Sequence, residues 1–333
     1  MQRKLSLGSL LVIGGLIAVV LIIGGNYISR FLPWNSPDLV ELEAEPVRHI
    51  KINSGSTKVQ LVPTNGDQVK SHLEQRSLLG QYQMKVTSSR DQVEIQVVRK
   101  GLPMNFRGLF RSELTVYLPE RVWESLQVEA GSGKITAADI TAEEVTVNTG
   151  SGTIELNDLR ADELNVKAGS GKVELTDIEA DHLDATVSSG KLVVDGYTAD
   201  YFQFQAGSGD VSVANGEGEL YGSTGSGSIT VTLDQLLHPA SLEAGSGKIK
   251  VDTEQILADL DVQAGSGKIE VHVSDPDALN VDYRGRSGRA TIAKDFNYTT
   301  QDSHRITGYF GTGGKDATLS VSIGSGSFTL SSR

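Results

Sequence analysis

A tripeptide, Gly-Ser-Gly or a close variant, begins at Gly131, Gly150, Gly169, Ser188, Gly207, Gly225, Gly245 and Gly265, so that successive copies are spaced by 19, 19, 19, 19, 18, 20 and 20 along the chain. A period near 20, kept over successive copies, defines a solenoid or strand array, because each copy is a unit that cannot bury its apolar face alone. Within each period the apolar residues alternate: Ile135 and Ala137, Ile154 and Leu156, Val173 and Leu175, Leu192 and Val194 follow the tripeptide. A second alternating run precedes it, with Leu126, Val128 and Ala130, then Val145, Val147 and Thr149, then Leu164, Val166 and Ala168. A period of two is the mark of a strand with one buried face. Ile140, Leu159 and Ile178 supply a short third contact between the two runs, and no segment of the repeat suits a helix.

One period per coil predicts an all-β fold, a parallel β-helix (β-solenoid) with about 19 residues per coil, in which equivalent residues lie about 4.8 Å apart. An antiparallel meander with one hairpin per period is the alternative, since Gly-Ser-Gly can also close a hairpin. Either way the glycines are expected as structural turn residues: Gly131, Gly133, Gly150, Gly152, Gly169, Gly171, Gly190, Gly207, Gly209, Gly225, Gly227, Gly245, Gly247, Gly265 and Gly267. The expected reason is a backbone with positive φ at each corner. Degenerate copies at Gly55-Ser56-Thr57, Ser287-Gly288-Arg289 and Gly324-Ser325-Gly326 extend the repeat toward both ends.

Ahead of the repeat, Leu5 to Gly25 is an uncharged run of 21 residues, 13 of them Leu, Ile or Val. As a helix it is about 31 Å long, enough to cross a bilayer. Arg3 and Lys4 precede it, and Tyr27, Phe31 and Trp34 follow it as an interfacial belt. That asymmetry predicts an uncleaved single-pass anchor in the cell membrane, with the N-terminus cytoplasmic and the bulk of the chain extracytoplasmic. A cleaved signal peptide is the competing reading, opposed by the length of the run and the lack of an Ala-x-Ala site. The expected organisation is a cytoplasmic stub at 1–4, a transmembrane helix at 5–29, a tether at 30–45, N-terminal coils and a cap at 46–130, the regular solenoid at 131–275, and C-terminal coils and a cap at 276–333. An incomplete cap would permit end-to-end self-association.

The charge balance narrows the partners. With 42 acidic against 30 basic residues the net charge is −12, which opposes binding to nucleic acid. The chain has no cysteine, so it contains no disulfide and no thiol chemistry, which for an exported protein points to a bacterial envelope.

The strand His49-Ile50-Lys51-Ile52 before Gly55, the segment Leu114-Thr115-Val116-Tyr117-Leu118-Pro119, the repeats, and the closing Gly324-Ser325-Gly326-Ser327-Phe328 together resemble a bacterial family of candidate adhesins, domains of unknown function built from Gly-Ser-Gly β-strand repeats. The resemblance covers 46–333. It implies a membrane-anchored domain at the cell envelope and brings no catalytic motif.

Gly-Ser-Gly-Lys is not a phosphate loop: the glycine spacing is wrong, and the lysine precedes Ile or Val in place of Ser or Thr. The period aligns acids in columns, Asp139, Asp158 and Asp177 in one, and Glu143, Asp162, Asp181 and Asp200 in another. Such ladders are candidate divalent-cation sites, although short polar side chains at turns also serve to hydrogen-bond local backbone. Lys134, Lys172, Lys191, Lys248 and Lys268 form a column interrupted by Thr153, Asp210 and Ser228, a candidate stripe for an anionic wall polymer. The six histidines, at 49, 72, 182, 238, 272 and 304, have no metal-ligand spacing.

No catalytic residue, cofactor site or cofactor is predicted. The expected role is noncatalytic, that of an adhesin, scaffold or sensor in contact with envelope polysaccharide or another membrane protein. A glycosidase or lyase on a β-helix is the enzymatic alternative, and an accessory partner of envelope-stress signalling is a third. Against the enzyme stands the expectation that an active site would break the repeat locally, whereas these columns read as uniform.

Overall fold

The computed structural model describes residues 38–44, 46–77, 81–100, 110–311 and 317–332. The expected membrane helix at 5–29 lies outside them. Among the described residues no helix is long and apolar enough to cross a membrane. The described chain is all-β and forms a β-solenoid.

Four long strands make the regular part: β9 (Ile135–Thr149), β10 (Thr153–Ala168), β11 (Lys172–Val187) and β12 (Lys191–Ala206). All pair in parallel, each residue beside its counterpart one period later, as in Ile135 to Ile154 to Val173 to Leu192. The parallel ladder settles the arrangement against the antiparallel meander. Each strand bends at two corners, so one coil has a long face after the Gly-Ser-Gly turn, a short middle face, and a second long face before the next turn. The alternating residues named above point inward, and Ile154, Leu156, Leu164, Val166, Val173, Leu175 and Leu183 have no exposed surface. Stacking gives each inward side chain an apolar neighbour above and below, and it pairs the backbone groups that a lone coil would leave open.

The next coils change shape. β13 (Asp210–Thr224) follows β12 in register as far as Thr198, where the pairing slips. From there β14 (Ser228–Leu236) and β15 (Ala240–Ala244) share one coil, and β16 (Lys248–Ile256) begins the next. β13 pairs with β14 only through Ala214 and with β15 only from Leu220, so no ladder joins 215–219 to the coil above.

Both ends are built by insertion of sequence-distant strands. β2 (His49–Asn53) lies between β6 (Gln92–Lys100) and β8 (Val122–Ala130), and β3 (Lys58–Thr64) lies between β7 (Phe110–Pro119) and β9. At the other end β22 (Ala317–Ser331) pairs along one edge with β17 (Leu260–Val273) and along the other with β18 (Leu279–Gly285) and β19 (Arg289–Ile292).

Antiparallel strands cover both ends. β4 (Gln68–Ser77) pairs with β7, and β5 (Gln81–Ser88) pairs with β6. β21 (Arg305–Tyr309) covers β18 and is followed by β20 (Asn297–Gln301). The expected tether is corrected at its end: β1 (Asp38–Glu43) is a strand, antiparallel to β4, because Val40 and Leu42 pack against the core.

Candidate functional site

Two kinds of corner set the surface. At the Gly-Ser-Gly corner the serine N–H groups continue the ladder, with Ser151 donating to the Gly131 carbonyl, Ser170 to Gly150 and Ser189 to Gly169, each at 2.9 Å. The degenerate copies join the same column: Gly131 N–H donates to the Gly55 carbonyl at 2.5 Å, and Ser287 N–H to the Gly324 carbonyl at 3.0 Å.

The turn glycines are where the sequence places them, but for another reason. In the regular column none has positive φ, and only the flanking Gly55 and Gly326 do. The constraint is space: a Cβ on Gly152, Gly171, Gly190 or Gly267 would fall 1.9, 1.7, 1.8 or 1.9 Å from the carbonyl oxygen of the equivalent glycine below. The first glycine of the triplet is less crowded, with corresponding distances of 2.7 Å at Gly150 and 2.4 Å at Gly169. Ser188 occupies that first position in its own coil.

Positive φ occurs at the next corner, at Asp139 (54°), Asp158 (47°), Asp177 (51°), Gly196 (80°) and Asn215 (51°). These residue types tolerate the left-handed region best. Backbone conformation thus favours the first acidic column, and among the described residues no group of three or more His, Cys, Asp or Glu is placed to hold a metal ion. The second column, Glu143, Asp162, Asp181 and Asp200, sits exposed at the following corner, where the paired registers skip one residue.

Four of the five lysines in the lysine column are ion-paired. Lys134 pairs with Glu155 at 2.6 Å, Lys248 with Glu270 at 2.5 Å, and Lys172 and Lys268 with Glu174 and Glu270. Hydrogen bonds from Lys248 and then Lys268 hold the Glu270 carboxyl below the usual carboxylate range.

Between the two acidic corners, the middle of the short face carries an outward column in ladder register: Val122, Thr141, Arg160, Glu179, Thr198 and Glu217. Arg160 and Glu179 are joined at 2.9 Å. On one side of this column runs a furrow of about 720 Å³, bounded by Asp162, Asp181, Asp200 and Glu219. On the other side is one of about 590 Å³, bounded by Asp139, Asp158, Asp177, Gly196 and Asn215.

The larger furrow ends at His238, whose Nε2 lies 3.6 Å from a Glu217 carboxylate oxygen, across the gap in the ladder. A third hollow of about 580 Å³ opens beyond it, between 215–218 and 233–238. The repeat is therefore not uniform: its break lies beside these hollows.

Large and small residues interlock under the break. Tyr197 takes the inward position held by Ile140, Leu159 and Ile178 in earlier coils, and the ring fills the space below Gly216. Its hydroxyl is buried without a hydrogen-bond partner, and burial pushes its pKa well above the ordinary tyrosine value. Phe204 lies between Ala185 and Gly222, and a Cβ on Gly222 would come 1.9 Å from the Phe204 ring.

Sequence reasoning singled out neither Tyr197, Gly216 and Gly218 nor the pairing of His238 with Glu217. The short step from Gly207 to Gly225, followed by two longer ones, was the available signal.

Stacked parallel coils with glycine corners define this protein as a β-solenoid of repeated strands. The chain belongs to the Toastrack DUF4097 family, whose pattern matches residues 47–244 and 186–331. No curated protein matches the chain. Solved structures similar to it include a candidate lipid-binding protein from Parabacteroides distasonis, 15% identical with a TM-score of 0.43, the match covering 90% of this chain and 98% of that one. Candidate adhesins from Parabacteroides merdae and Bacteroides fragilis are 11% and 10% identical, with TM-scores of 0.36 and 0.33. Those two matches cover 90% of this chain and 97% and 99% of theirs.

Proposed function

We propose that the protein is a noncatalytic recognition rod of the bacterial cell envelope, held by a single-pass anchor at 5–29 with its solenoid outside the cytoplasm, where it acts as an adhesin, scaffold or sensor. The observation that carries the reading is the furrowed short face, an open and elongated surface in ladder register from Val122 to Glu217. A surface of this form suits an extended polymer better than a compact substrate, and the rigid ladder beneath keeps it in shape without a ligand.

The apolar run, its flanking charges and the aromatic belt support the anchor. The second reading is a glycosidase or lyase, favoured by the carboxylates that line both the middle and the rim of the furrow. Incubating the full-length chain with a glycan array and with isolated envelope polymers separates the two. Retention of intact polymer supports the recognition rod, shortened products assign the enzyme, and retention of nothing overturns the proposal. Protease protection in sealed membrane vesicles tests the predicted orientation.

A further inference from the structure

The proposed recognition role leaves the ligand open; resting on that reading, we propose that the larger furrow of the short face binds an extended polysaccharide of uncharged or amine-bearing sugar units, laid along the rod axis with one unit to each coil. Three features lead there.

The first is period. Thr141, Arg160, Glu179, Thr198 and Glu217 each come from a successive coil and line the furrow in register. Coils repeat about every 4.8 Å, whereas an extended peptide advances about 3.3 Å per residue, so its residues miss alternate coils and only every third one returns to an equivalent position. The advance per unit of an extended β-linked pyranose chain is close to one coil height, so one unit faces each coil, with successive units turned over.

The second is charge. Asp162, Asp181, Asp200 and Glu219 form the rim and Glu179 and Glu217 the middle, against Arg160 as the permanently charged cation of the lining. Phosphate- or carboxylate-bearing polymers are repelled by such a surface. Carboxylates instead accept hydrogen bonds from vicinal hydroxyls, and they pair with ammonium groups. The hydroxyls of Thr141 and Thr198 and the guanidinium of Arg160 supply donors for ring and hydroxyl oxygens.

The third is that the furrow has two different ends. One begins at Val122, an apolar side chain that is 61% exposed. The other is where the ladder stops and His238 lies 3.6 Å from Glu217, so the in-register column ends there. A chain lying there runs out of equivalent coils at that point, which sets a length near that of the lined coils.

The test uses the full-length chain in detergent with three probes: glucosamine oligomers of two to eight units, N-acetylglucosamine oligomers of the same lengths, and oligogalacturonate. Titration calorimetry is expected to give an affinity that rises with oligomer length and levels off at five to six units, with oligogalacturonate not bound. Thr198→Trp, which fills the furrow from an exposed position, is expected to weaken binding about tenfold or more through loss of contacts and hydrogen bonds. Glu179→Lys combined with Glu217→Lys is expected to abolish binding of the amine-bearing series, and it keeps the test open if Thr198→Trp melts early. Glu243→Lys, on another face, is the control and leaves binding unchanged.

Length-independent binding, or binding that survives both variants, overturns the furrow assignment. An array ligand retained equally by parent and Thr198→Trp leaves the recognition role standing while placing its site elsewhere. Failure of every envelope polymer to bind removes both.

Discussion

The two sharp corners of a coil meet the demands of stacking by opposite means. At Gly-Ser-Gly the backbone conformation is ordinary and space is missing, since the carbonyl of the coil below occupies the volume a side chain would need. At Asp139, Asp158 and Asp177 the conformation is unusual, and the side chain is exposed. Glycine is thus required at one corner by a neighbour, and Asp, Asn or Gly is favoured at the other by the residue's own φ. One constraint belongs to the stack and the other to the single residue, so they should break differently.

Gly171→Ala gives the largest expected effect, about 3 kcal/mol of destabilisation in urea unfolding, because a backbone oxygen cannot rotate away as a side chain would. A loss under about 0.5 kcal/mol, the range of an ordinary surface substitution, would mean that the corner is loose and the contrast false. Gly222→Ala asks whether crowding by a side chain is milder than crowding by backbone: about 2 kcal/mol is expected, largely recovered when Phe204→Leu is added. At the second corner Asp158→Val is expected to cost about 1 to 2 kcal/mol for placing a β-branched residue at positive φ. Asp158→Gly should stay within about 0.5 kcal/mol of the parent.

The smallest effect lies away from both corners. Glu270→Gln removes two partly exposed ion pairs and should cost about 0.5 kcal/mol at neutral pH. Since the folded-state pKa of Glu270 is depressed, its contribution is present above the unfolded glutamate value and is lost as pH falls through the folded value. The thermal midpoints of parent and variant should therefore converge in acid.

The sequence made the stack legible because alternation and period are local signals. Ile154, Val173 and Leu192 announce both their buried face and their partners one period away. The reason for the glycines was not legible, because a collision with a carbonyl one coil away leaves the same residue in the sequence as a left-handed turn. The ends were hidden for a stronger reason. Leu319 lies beside Leu260, and Val59 lies beside Ile135, each pair separated by several periods of chain, and no short-range pattern records such a pairing. The furrow stood between: its acidic rim was visible as a column, but the break where its in-register column ends appeared only as one missing residue followed by longer coils.

The inserted strand β22 also bears on the order of assembly. Coils from β9 to β12 can join one after another as the chain emerges, each on a finished template. The layer between β17 and β18 cannot, because residues 317–331 leave the ribosome after both of its neighbours. Until they arrive, two facing edges wait with unsatisfied amides and carbonyls. That end of the rod is consequently where a stalled or clipped chain would be caught by proteases.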